Sequence, residues 1–251
     1  MKKGRFIVLF VRGGGSTFLA ESLNQVSNVL CLREPKIGAE FFCKNSQLLS
    51  DLQDKDDKKH RKGSTQRWLE CSWVGAKLKF YNQVSSDLKK ELLKGDIPVV
   101  ICLRDNIVSH TIGLCRKDLC DKSVVWSESE KASKSLIDID HFKRNLKFVI
   151  EENKRLVNFS FKLKPKTYHY VFYENMCQNL DREVNRIMQF LTKEEWENCH
   201  VDRGLLPLKV TNAVWHYDVN NYIEIIKAID DCNLKYSDLY SSFLVEKGRE
   251  L

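Results

Sequence analysis

No apolar run in this chain of 251 residues approaches the ~20 needed to cross a bilayer; the longest, Phe6 to Val11, is of strand length. A soluble protein with no membrane span is therefore expected. A secretory leader is not expected either, because MKKGRFIVLFV runs straight into Arg12 to Gly15, where a leader needs a longer apolar region and a cleavage site. That start reads as a buried first strand. The nine cysteines are odd in number and contain no CxxC pair, which suits reduced thiols in the cytoplasm better than a disulfide framework or a zinc site. No cluster of His, Cys and Asp has metal-ligand spacing, so no metal is expected. Solenoid repeats and low-complexity tracts are also missing.

What is present is globular in kind. Apolar residues make up 43% and charged residues 30%, which excludes a disordered, collagenous or fibrous chain. The length fits one large domain over residues 1–251. A net charge of +7 leans toward an anionic ligand without reaching the density of a nucleic-acid binder, so no nucleic-acid partner is expected. A basic surface that only keeps the protein soluble accounts for it equally well.

Three continuous apolar runs, Phe6 to Val11, Pro98 to Leu103 and Tyr168 to Tyr173, have the form of strands covered on both faces. Helical periodicity fills the intervals. It runs over Ser16 to Val29, over Ile137 to Phe161 with Phe142, Leu146, Val149, Ile150, Asn153 and Val157 on one stripe, and over Asp181 to Leu191. This alternation predicts an α/β fold, P-loop-like and three-layered, with a mostly parallel central sheet and helices on both faces. Ligands bind such sheets outside the carboxyl ends of the strands. The mixed-charge stretch at about 51–67 reads as an exposed excursion, and about 118–160 as a helical region.

The first strand end is followed by Arg12, Gly13, Gly14, Gly15, Ser16 and Thr17 and then a helix. Glycines allow backbone amides to turn toward an anion, a helix start adds unpaired amides, and the two hydroxyls add donors. This is the form of a phosphate cradle, or of a plain glycine turn capped by Ser16. It is not a Walker A loop, since Gly15 occupies the lysine position, nor a dinucleotide fingerprint, since Phe18 stands where the third glycine belongs. At the second strand end Arg104 offers a bidentate fork for another phosphate, or a partner for Asp105.

Five segments in order resemble the PAPS-dependent sulfotransferases, and most the bacterial family that includes the trehalose 2-sulfotransferases. RGGGSTFLAESL is similar to the loop for the 5′-phosphosulfate, REPKIGAEFF to a Glu-Pro-x-Glu-Phe-Phe segment with two extra residues, and GAKLKFYNQ to a Gly-Gly-Lys-Leu segment. VVICLRDNIVSHTIGLCR resembles the strand and helix for the 3′-phosphate, and VFYENM a Tyr-Glu-Asp strand end. The likeness covers roughly Phe6 to Leu191. Two departures stand out: Arg12 lies one residue before the family's basic position, which Gly13 fills, and Gly113 stands where the 3′-phosphate serine belongs.

The resemblance implies PAPS as donor, PAP as product and a small-molecule or glycan acceptor, with a homodimer as the assembly. It implies Glu34 as the base that takes the acceptor proton, with Glu40 in reserve, and Lys77 as the cation at the transferring group or at the acceptor oxygens; Lys77 is otherwise an exposed lysine on a strand edge. Arg12 to Thr17 would hold the 5′ end and Arg104 the 3′ end. Ser109, four residues before Gly113 on one helical face, would replace the missing hydroxyl, and Tyr173 would touch adenine. His110 is a substitute base or a helix-face residue, and Trp126 an acceptor-stacking aromatic or a core anchor. A nucleotide-dependent kinase and a non-catalytic nucleotide- or glycan-binding module are the rival readings; no Walker lysine or evident Mg²⁺-binding carboxylate motif supports the kinase.

Overall fold

The computed structural model describes residues 4–34, 70–119, 135–194, 196, 199–206 and 219–249. Glu40, Trp126 and the charged stretch 51–67 lie outside the described residues. Among the described residues the central sheet has five strands, β1 (Gly4–Phe10), β2 (Val29–Arg33), β3 (Trp73–Lys79), β4 (Val99–Leu103) and β5 (Tyr168–Phe172), in the order β2-β3-β1-β4-β5. Every pairing is parallel. The helices are α1 (Ser16–Gln25), α2 (Phe80–Gln83), α3 (Ser86–Lys94), α4 (Ile107–Leu119), α5 (Ile139–Ser160), α6 (Tyr173–Gln178), α7 (Leu180–Thr192), α8 (Tyr222–Asp231) and α9 (Ser241–Arg249).

The side-chain period of two in β1 builds the layers. Phe6, Val8 and Phe10 face a core shared with α1, α6 and α7, and Ile7, Leu9 and Val11 face a second core with α2, α3, α5 and α9. Both faces are therefore apolar, which is why the strand reads as a continuous run. A smaller third core joins α4, α5 and α8. Local signals fix the helix ends: the side chains of Ser85, Asp138 and Asn179 accept from backbone amides at the starts of α3, α5 and α7. No described helix is long and apolar enough to cross a membrane.

Two strands lie outside the three predicted runs. β2 follows α1 after Val26 breaks the helix with extended backbone, so the helical pattern expected to Val29 stops at Gln25. β3 contains Gly75, Ala76 and two lysines, and lacks the continuous apolar run of β1. Because β3 is inserted between β2 and β1, the residues near its carboxyl end are interior to the sheet, and Lys77 is not an edge residue.

Candidate active site

The glycine-rich loop leaves β1 and closes on itself through a hydrogen bond from Gly14 N–H to the Val11 carbonyl, 3.0 Å. Gly13 and Gly15 both have φ +85°, in the left-handed region. Gly15 is also the N-cap of α1, and no side chain caps the helix there, so its first amides point into the loop without a side-chain acceptor. A Cβ on Gly15 would lie 2.2 Å from Cδ2 of Tyr173, so the φ and the space each demand glycine. The loop and the start of α6 are thereby packed together.

Beside this cradle the strand ends assemble a row of charged groups. Lys77 Nζ donates to Thr17 Oγ1 at 2.9 Å and to Ser16 Oγ at 3.4 Å, and lies 3.1 Å from Glu34 Oε1. The other oxygen of Glu34 is 2.5 Å from Lys79 Nζ. The register explains the row: Arg33 of β2 pairs with Lys77 of β3, so Glu34 leaves its strand beside that lysine, and Lys79 is on the same face two residues on. The Lys77 side chain is 3% exposed, against 29% for Glu34 and 25% for Lys79.

Burial lowers the Lys77 pKa, and the Glu34 charge opposes that fall. For Glu34 burial pushes the pKa up, but the hydrogen bond from Lys79 and the charge and hydrogen bond of Lys77 together prevail and hold it below the usual carboxylate range. Its backbone is also constrained. Glu34 has φ 42°, in the left-handed region, while its N–H donates to the Lys77 carbonyl at 3.1 Å. A non-glycine residue held there marks a position whose geometry the surroundings over-determine.

The second strand end is built around Arg104, 6% exposed, whose guanidinium carbon lies 5.1 Å from the centre of the Tyr173 ring. Glu174 accepts from the Asp105 and Asn106 amides at 2.8 and 3.4 Å, and its Oε1 is 3.6 Å from Arg104 Nε. It clamps the turn from β4 into α4. Asn106 in turn accepts from the Ser109 amide at 2.8 Å. On the next turn, Ser109 Oγ and His110 Nδ1 are buried with no hydrogen-bond partner among the described residues. His110 Nε2 lies 2.7 Å from the Arg12 carbonyl, and since a carbonyl only accepts, that nitrogen carries the hydrogen. Burial pushes the His110 pKa down to about 4, against the raising effect of that bond, so the ring is a neutral strut beneath the loop.

The sequence-predicted residues thus fall into three groups. Gly13 to Thr17, Lys77 and Glu34 come together at the ends of β1, β2 and β3. Arg104, Ser109 and Tyr173 gather at the end of β4 and the starts of α4 and α6, with Tyr173 packed against Gly15 and Arg104. Arg12 turns away toward α4, pairing with Asp118 at 2.5 Å, while Asp118 also meets His141 at 3.2 Å. Sequence reasoning gave no role to Lys79, Glu174, Asp118 or Lys117. The alternation of β3 could have signalled Lys79, because it shares a face with Lys77.

With this geometry in hand, comparison with known proteins gives a fold. No family model and no curated protein matches the sequence. The structure is similar to mouse sulfotransferase SULT7A1 complexed with PAP, with a TM-score of 0.53 and 11% identity over 100% of this chain and 90% of that one. It is also similar to a sulfotransferase from Alicyclobacillus acidocaldarius (TM-score 0.41, 15% identity, 82% of this chain and 88% of that one). A third similar structure is the sulfotransferase domain from the curacin biosynthetic pathway (0.48, 13%, 89% and 87%). The five-stranded parallel sheet flanked by helices is the sulfotransferase fold.

Proposed function

We propose that this chain transfers a sulfuryl group from PAPS to a hydroxyl of a carbohydrate or glycolipid, with Glu34 as the base. One observation carries the reading: a buried lysine joins the hydroxyls of the glycine cradle to a carboxylate at the mouth of the sheet. The residues fit the donor. The cradle offers backbone amides at a helix start without a side-chain cap, Lys77 supplies a desolvated cation beside it, and the buried Ser109 hydroxyl and Arg104 form a second polar locus. PAPS supplies the sulfuryl group: its S–O bond to phosphate breaks with the electron pair leaving on PAP, as the acceptor oxygen bonds to sulfur.

The chain's own groups do the rest. Glu34 takes the acceptor proton, and its lowered pKa keeps it ionised at neutral pH at the expense of basicity. Lys77 and the α1 amides stabilise the charge that develops on the donor side. Incubation of the protein with PAPS and a sugar and lipid extract, followed by mass spectrometry, should reveal the sulfuryl mass increment on an acceptor. A thermal-shift series separates the rivals by mass action. A shift with PAP alone supports this reading, whereas a shift with ATP and Mg²⁺ alone supports a kinase, and PAP binding without any sulfated product supports a non-catalytic module.

A further inference from the structure

The row of charges continues past the base. In in-line transfer the acceptor oxygen lies across the sulfur from the leaving phosphate and within reach of the base, and Lys79 pairs with the oxygen of Glu34 that does not meet Lys77. Lys117, partly buried on the last turn of α4, is the chain neighbour of Asp118, which pairs with Arg12 of the glycine loop. Burial first, then the charges of Arg12, Lys79 and Lys77, lower its pKa, with Glu34 opposing. Arg12 already has Asp118 as its counter-ion. Among the described residues, Lys77 and Lys79 pair with one and the same carboxylate, Glu34. Lys77 is spoken for by the cradle hydroxyls.

We infer that the acceptor is anionic: a hydroxyl compound bearing a carboxylate, sulfate or phosphate near the reacting oxygen, held by Lys79 and Lys117. This rests on the sulfuryl-transfer reading and adds the substrate class to it. Two physical consequences support it. An acceptor anion relieves the like-charge crowding of the lysines. It also draws Lys79 from Glu34, so that the carboxylate regains basicity when the correct acceptor is present, which couples recognition to proton transfer.

The experiment separates a metabolite, glycan and glycolipid extract by anion exchange into neutral and anionic pools before each is incubated with protein and [35S]PAPS. Label is expected predominantly in the anionic pool. Lys79→Met and Lys117→Gln, each checked for an unchanged melting transition, should lower that labelling by about tenfold or more, as for loss of one charge-assisted contact. Their dissociation constants for PAP should stay near wild type. Labelling of the neutral pool at an equal or higher rate overturns the inference and leaves sulfuryl transfer standing. So does wild-type labelling of the anionic pool by both variants. Label in neither pool overturns sulfuryl transfer and this inference with it.

Discussion

At the end of β3 the buried Lys77 finds Thr17, Ser16 and Glu34, whereas at the start of α4 the equally buried Ser109 Oγ and His110 Nδ1 find nothing among the described residues. Both places are at the carboxyl ends of the strands on either side of β1, and both flank the glycine loop. The first is self-satisfied. A buried ammonium is costly unless paired, so Lys77 and Glu34 stabilise each other's charged forms and arrive preassembled. The second carries a standing cost, since a buried hydroxyl without a partner is worth about 1–3 kcal/mol against the fold. On the proposed sulfuryl-transfer reading the pair divides the site, with chemistry at β2 and β3 and binding at β4 and α4.

The sharpest way to break this division is at the base. Glu34→Gln keeps the shape and a hydrogen-bonding oxygen, so turnover should fall by roughly 10²–10⁴ while PAP affinity measured by calorimetry barely moves. Equal losses in both would place Glu34 in the binding half. The pH profile sharpens the same point. Because the folded pKa of Glu34 is held below its ordinary value, the base form persists at mildly acidic pH, and activity is lost only as pH falls through that lowered value. Lys79→Met removes the leading lowering influence, so the acid limb of kcat/KM should move to higher pH.

On the binding side, Arg104→Ala should weaken PAP by roughly 1.5–3 kcal/mol and an analogue lacking the 3′-phosphate much less. Arg104 also packs on Tyr173 and lies near Glu174, so a general loosening would lower both affinities equally. Calorimetry with the two ligands decides between them. The loop that joins both halves should fail differently. Gly15→Ala places a methyl within 2.2 Å of Tyr173 at a φ that L-residues avoid, at a cost of about 1–3 kcal/mol in urea unfolding. Tyr173→Leu in the same chain should recover the steric part alone.

The sequence showed these two halves unequally. The strands β1, β4 and β5 and the helices α1, α5 and α7 were legible because their apolar residues follow a single period or fill both faces. The glycine loop was legible because its backbone chemistry is local. β3 was not, because a strand holding two lysines is polar by composition and its burial depends on Ser16 and Thr17, about sixty residues away. The diversion of Arg12 to Asp118 was equally hidden, since that pair is 106 residues apart in sequence. Local patterns carry elements and turns, whereas long-range ion pairs decide which charged side chain reaches a site and which is taken up elsewhere.

The smallest predicted effect discriminates most finely between a partnered and an unpartnered polar group. Ser109 Oγ is buried and lacks a hydrogen-bond partner among the described residues, so Ser109→Ala removes a desolvated hydroxyl without breaking a bond. Stability in the absence of ligand should stay level or rise slightly. If that hydroxyl serves the 3′-phosphate, the same substitution should cost about 1 kcal/mol of PAP affinity. The two measurements therefore move in opposite directions. A structural serine would lower both, and a serine that meets neither protein nor ligand would leave PAP affinity unchanged. Gly113→Ser, one helical turn farther along α4, tests the same locus from the other side: a hydroxyl restored there should leave PAP affinity level or improve it mildly, and should partly offset Ser109→Ala when the two are combined.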